Sequence, residues 1–164
     1  MSVSSVYWRF VLLCSMVFSA TAFAAPAADP VKVGLQAFKV VLTGGKESLV
    51  ESKTAKPGET LEYRATYTNT GKKAVTNLAA TLPVPQGMEY VALSSQPSSA
   101  LASVDGQNFS AVPLMRRLAD GKEQPVPAAE YRALRWKVAE LQPGKSFVVS
   151  ARVRVAAGEA ARNN

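Results

Sequence analysis

The sequence predicts an all-β protein folded as a Greek-key β-sandwich. Apolar residues recur at every second position in several segments, and turn-forming Gly, Pro, Asn and Asp fall between those segments. No segment sustains a helical repeat. Short alternating strands separated by regular turns are the pattern of two packed antiparallel sheets.

In chain order, the first element is a targeting segment. Met1 to Arg9 carries one positive charge, Phe10 to Phe18 is nine residues of mostly apolar character, and small-residue cleavage sites follow at Ala22 and Ala24. This is the layout of a secretory signal peptide spanning residues 1–24, with cleavage after Ala24 favoured over Ala22. Nine helical residues span only about 14 Å, short of the ~20 residues needed to cross a bilayer. Cys14 lies mid-run behind Leu13, which is not the setting of a lipidated cysteine. Residues 25–30 then form a flexible N-terminus, 31–155 the sandwich with an irregular insertion at 94–130, and 156–164 a disordered tail.

Within the sandwich, Leu61, Tyr63, Ala65 and Tyr67 share one face of a strand and Glu62, Arg64, Thr66 and Thr68 the other. The same alternation places Leu134, Trp136 and Val138 inward, then Phe147, Val149, Ala151, Val153 and Val155. Segments 31–42, 75–82 and 88–93 also read as strands. The first of these changes phase between Leu35 and Phe38, which suggests a bulge or a crossing between sheets. Turns fall at Pro57-Gly58, Asn69-Thr70-Gly71, Pro85-Gln86-Gly87, Asp105-Gly106, Asp120-Gly121 and Pro143-Gly144. Asp105-Gly106 closes a hairpin between 100–104 and 107–112, and 113–129 reads as an extended loop.

These residues carry a resemblance. Lys56-Pro57-Gly58-Glu59-Thr60-Leu61-Glu62-Tyr63, Tyr67 to Gly71, Ala74 to Leu78 and Leu82 to Val91 follow one another in order. Trp136, Leu141-Gln142-Pro143-Gly144 and the Val-rich 147–155 strand complete the set. Together they resemble the bacterial conserved-repeat domain known as domain of unknown function number eleven, over about 54–155. The resemblance implies an immunoglobulin-like sandwich of about seven strands in extracytoplasmic bacterial proteins, where such modules are usually repeated. Here the module stands once, with a longer 94–130 connection. The family has no general catalytic set to carry over.

Composition narrows the chemistry. The chain has 164 residues, 19 Lys and Arg against 12 Asp and Glu, no His and one Cys. Removing residues 1–24 takes away Cys14 and Arg9, leaving 140 residues and a net charge of +6. The mature chain therefore has no disulfide chemistry, no metal or haem site of the usual His or Cys ligand types, and no Ser-His-Asp or Cys-His nucleophile. A carboxylate pair stays possible among nine Glu and three Asp, yet these acids sit in polar turn-like contexts. No cofactor, catalytic or metal residue is expected. Asn69, Gly71, Gly87 and Gly144 read as turn residues, and Trp136 as a core residue.

One surface feature stands out. If Trp136 faces inward, Arg135 and Lys137 face outward, and Arg152 and Arg154 do the same on the last strand. Were these two strands neighbours, four cations would share one sheet face, and Arg116, Arg117 and Lys122 of the insertion would extend it. Like charges there repel unless a third strand or an anionic partner compensates. Without interleaved aromatics, nucleic acid is not the expected partner. An envelope protein or anionic envelope polymer fits an exported chain.

The expected function is a non-catalytic interaction module of the cell envelope, periplasmic or at the cell surface. A structural or accessory subunit of a larger surface assembly is the alternative, and a carboxylate-dependent enzyme the least favoured reading. Export is checked by the intact mass of the protein from its native host. A chain beginning at Ala25, or at Phe23, is the expected outcome, and a full-length cytoplasmic protein overturns it.

Overall fold

Alternating burial organises two sheets around one core in the computed structural model, which describes residues 30–157; the signal segment, its cleavage site and residues 158–164 lie outside them. Strands β1 (Val31–Thr43), β2 (Lys46–Glu51), β3 (Thr60–Asn69), β11 (Ser146–Val155) and β5 (Met88–Tyr90) form a five-stranded sheet in the order β2-β1-β3-β11-β5. Strands β4 (Val75–Pro83), β10 (Ala133–Leu141), β6 (Leu101–Ser103) and β7 (Ser110–Ala111) form the second, in the order β4-β10-β6-β7. Strands β8 (Met115–Arg117) and β9 (Glu123–Pro125) make a separate two-stranded ribbon, and Ala128–Glu130 is a single 3-10 turn. Each ladder is antiparallel. No helix among the described residues is long and apolar enough to cross a membrane.

The inward residues pack as the alternation dictates. Leu61, Ala65, Tyr67, Val149, Ala151 and Val153 from the first sheet meet Ala80, Leu82, Ala102, Leu134 and Trp136 from the second in one cluster. Trp136 is 1% exposed, and its indole Nε1 donates to the Pro97 carbonyl at 2.6 Å. The ring fills the core while its one polar atom is satisfied by the insertion.

The Asn69 turn closes one end of the sandwich. The Asn69 side chain is fully buried; its Nδ2 donates to the carbonyls of Lys73 and Leu141 at 2.8 Å each, and its Oδ1 accepts the Gly71 amide at 2.9 Å. Its backbone N–H donates to Lys145 and its carbonyl accepts from Gly144. One residue thereby ties β3 to the end of β10 and to the Pro143-Gly144 turn. A Cβ on Gly71 would stand 2.9 Å from the Cβ of Pro30, so this approach requires glycine. Pro30 accepts from the Thr70 amide, and the Ala156 amide donates to Gly87, so order reaches past both ends of the expected 31–155 range.

Several expectations are corrected. β1 contains neither a bulge nor a crossing, because its register with β3 runs unbroken from Val31 opposite Asn69 to Lys39 opposite Leu61. Its apparent phase change arises because both faces carry apolar side chains. Val33 and Leu35 share the inner face with their partners Tyr67 and Ala65, yet are 54% and 59% exposed. Phe38, on the outer face, lies under the Arg64 guanidinium at 5.0 Å. β2 was not expected, since its six residues are all exposed and leave no burial pattern to read.

The 94–130 insertion holds four short strands. β6 pairs with β10 inside the second sheet and with β7 through the Asp105-Gly106 turn, as the hairpin expectation had it. The stretch read as an extended loop holds the β8–β9 ribbon, and Leu114 and Val126 at its two ends are buried. Eleven strands among the described residues replace the expected seven or so, the excess being short strands of this segment together with β2. Truncating Trp136 to Ala should cost about 3–5 kcal/mol in chemical denaturation, the cost of emptying a large core position. A loss under ~1 kcal/mol would show that the ring does not support the core.

Candidate functional site

The four expected patch residues do not share a face. β10 belongs to the four-stranded sheet and β11 to the five-stranded sheet, so the turn between them carries the chain from one layer to the other. Arg135 and Lys137 lie on the outer face of one layer, and Arg152 and Arg154 on the outer face of the opposite one.

Third strands supply the missing acids. Arg152 grips Glu47 of β2 in a two-pronged contact, Nη1 to Oε1 at 3.2 Å and Nη2 to Oε2 at 2.8 Å, and its Nε lies 3.8 Å from Glu62 of β3. The hydrogen bonds and charge of Arg152 hold the Glu47 carboxyl below the ordinary carboxylate range. Arg154 pairs with Glu89 of β5 at 3.7 Å, and Arg64 with Glu62 at 2.8 Å. In the insertion, Arg116 pairs with Glu130 and Lys122 with Asp120. Lys137 and Arg117 are exposed and make no side-chain hydrogen bond or ion pair among the described residues.

Arg135 is held in another way. Its Nε donates to Thr81 Oγ1 at 2.9 Å, and its guanidinium lies 3.6 Å from the centre of the Phe109 ring. Phe109 follows a turn knotted by Asp105, whose carboxylate accepts from Ser103 Oγ, the Gln107 and Asn108 amides and Asn108 Nδ2. Those donors, the Asn108 amide foremost, hold the Asp105 carboxyl well below the usual range. The cation is thereby drawn onto an aromatic face.

An apolar cleft lies at the other end of the insertion. A cleft of about 330 Å³ is lined by Tyr90, Ala92, Leu93, Val112, Pro113, Val126, Ala128 and Tyr131, with no charged side chain among them. Tyr90 and Tyr131 are both buried and stack with centroids 5.8 Å apart and ring planes 14° apart. The Tyr131 hydroxyl accepts the Leu114 amide at 3.0 Å, which fixes that ring against the β8–β9 ribbon.

Leu93 forms the rim. It is 95% exposed and has φ of +60°, a left-handed conformation that costs a bulky L-residue about 1–2 kcal/mol. The turn is held by Ser94, whose Oγ donates to the Val91 carbonyl at 2.6 Å and accepts the Arg152 amide at 2.9 Å. The Gln96 and Ser150 backbones then bond to each other in both directions. The turn that carries Leu93 is thus pinned to β11 on both sides.

Sequence reading missed this site. The sequence pattern runs a strand over 88–93 to Leu93, whereas β5 stops at Tyr90. The signal available was weak: Ser94-Ser95-Gln96-Pro97 marks a turn after an apolar residue. Comparison with family models, curated proteins and solved structures gives no match to this chain.

The Asp105 turn has a pH signature. Its folded pKa lies below the ordinary value of about 3.9, so the carboxylate's contribution is whole at neutral pH and is lost as pH falls below about 4 towards the folded value. Asp105→Ala should therefore lower Tm at pH 7, and the gap to the native protein should narrow between about pH 5 and pH 2. A gap that stays constant over that range would contradict the assignment.

Proposed function

We propose that this chain is an exported, non-catalytic module of the bacterial cell envelope, an immunoglobulin-like domain of the conserved-repeat type, which binds a protein partner through the cleft rimmed by Leu93. The observation that carries the reading is Leu93 itself. A leucine held in a left-handed turn at the lip of an apolar cleft carries backbone strain while its side chain gains nothing from burial. Strain of this kind concentrates where a surface is used. The lining, apolar apart from two tyrosine hydroxyls, suits burial of an apolar group rather than proton transfer.

The intramolecular pairing of Arg152, Arg154, Arg116 and Lys122 turns the preference from an anionic polymer to a protein partner. Those cations are paired with acids and spread over separate elements, so the concentrated cationic face that an anionic polymer would engage does not form. An accessory subunit of a larger surface assembly would use the same cleft.

The test is Leu93→Asn. Asparagine tolerates the left-handed conformation, so Tm should be unchanged or higher. Retention of envelope polypeptides by the immobilised protein should fall about tenfold or more, as expected for losing a buried leucine side chain at a contact. Equal retention by native and variant proteins would remove the cleft from the function.

A further inference from the structure

We propose that the outer face of the four-stranded sheet carries a carboxylate-binding site, with the Arg135 guanidinium as its hydrogen-bonding fork and Lys137 and Asn77 beside it. The site shares no lining residue with the Leu93 cleft and goes beyond the contact proposed there.

Arg135 is held in place, yet most of its donors stay free. Its Nε donates to Thr81 Oγ1 and its guanidinium lies over the Phe109 ring, so one donor and one face are committed to the protein. Neither Nη makes a hydrogen bond among the described residues, which leaves the two-donor end of the guanidinium open. Phe109 follows the turn knotted by Asp105, so the group is oriented before any ligand arrives. Less freedom is then lost when an anion binds.

The charge on this face has no counterpart. On the opposite layer Arg64, Arg152 and Arg154 each meet an acid. Lys137, two positions along β10 from Arg135, is exposed and makes no ion pair among the described residues. The ladder partners of the two cations are Thr81 and Ala79 on β4 and Leu101 on β6, and none is acidic. Arg135 and Lys137 line one open cavity of about 500 Å³ with Asn77, Ala79 and Ala139, and no acidic side chain borders it. Asn77 has a φ of +54° within β4, and its side-chain amide makes no hydrogen bond among the described residues. Like charges on one face are relieved by an opposite charge, so charge complementarity names an anion.

The donors present select a carboxylate over a phosphate or sulfate. Two oxygens in one plane match the paired Nη groups of a single arginine. A tetrahedral anion has further oxygens to satisfy, and proteins commonly meet them with backbone amides of a turn or a helix N-terminus. At Arg135, β10 is paired with β4 on one side and β6 on the other, so its backbone donors are consumed by the ladders. The carboxylate of a small organic acid and that of an acidic side chain on a polypeptide present the same group.

The experiment follows the Ala79 and Ala139 methyl resonances and the Asn77 side-chain amide by NMR in the mature protein. Acetate, inorganic phosphate and the capped tripeptide acetyl-Gly-Glu-Gly-amide are titrated separately at constant ionic strength. Saturable shifts with acetate or the peptide support the site, and the tighter of the two names the source of the carboxylate. Arg135→Lys keeps the charge but removes the fork, and should weaken acetate binding about tenfold, as expected for losing a charge-assisted hydrogen bond. Lys137→Gln removes a side chain that bonds nothing in the protein; it should leave Tm unchanged and weaken acetate about threefold. Should Arg135→Lys lower Tm, the Lys137→Gln comparison still decides. Tighter binding of phosphate than of acetate overturns the carboxylate assignment. Shifts that map elsewhere, or an affinity equal in the native protein and both variants, overturn the site.

Discussion

The fold depends on the buried Asn69 amide. Two sheets of a sandwich share few backbone hydrogen bonds, and at this end the chain leaves both layers at once through the Gly71 and Pro143-Gly144 turns. Asn69 resolves the resulting demand by bonding Lys73, Leu141 and Gly71 with its side chain and Lys145 and Gly144 with its backbone. A buried amide is tolerated only when its donors and acceptor are satisfied, and full satisfaction makes the geometry specific. The clasp sits where the chain crosses from β10 to β11, between the two layers.

That crossing decides how charge is distributed. On one hairpin, Arg135, Lys137, Arg152 and Arg154 would have been a concentrated cationic face. Split between layers, each arginine meets a different neighbour: Glu47 and Glu62 for Arg152, Glu89 for Arg154, and Thr81 with Phe109 for Arg135. The positive net charge remains, but its local concentration is relieved by acids from β2, β3 and β5. Lys137 and Arg117 stay exposed without an acid, on different elements of the fold.

The insertion builds the cleft from both ends. Near its start, the Val91 to Ser94 turn is locked to β11, and the Pro97 carbonyl receives the Trp136 indole. Near its far end, Leu114 and Val126 anchor the β8–β9 ribbon and Tyr131 is fixed by the Leu114 amide. Tyr90 and Tyr131, distant in the chain, meet because these segments close on one another. Order in the insertion is thus the means by which Tyr90 and Leu93 are presented together.

Local periodicity determined the class of fold and most of its framework. Alternation at β3, β10 and β11 named their inward residues correctly, with Trp136 in the core, because the two-residue repeat of a strand is a property of the backbone alone. The Asp105-Gly106 hairpin was legible for the same reason, since turn chemistry is local. Tertiary structure alone decided which sheet each strand joins, which acids reach which arginines, and that Leu93 leaves the strand at Tyr90 to stand in water over a cleft. Period two states which side of a strand is buried, but it is silent about what lies on the exposed side. That is set by residues distant in sequence, brought together when two layers close on one core.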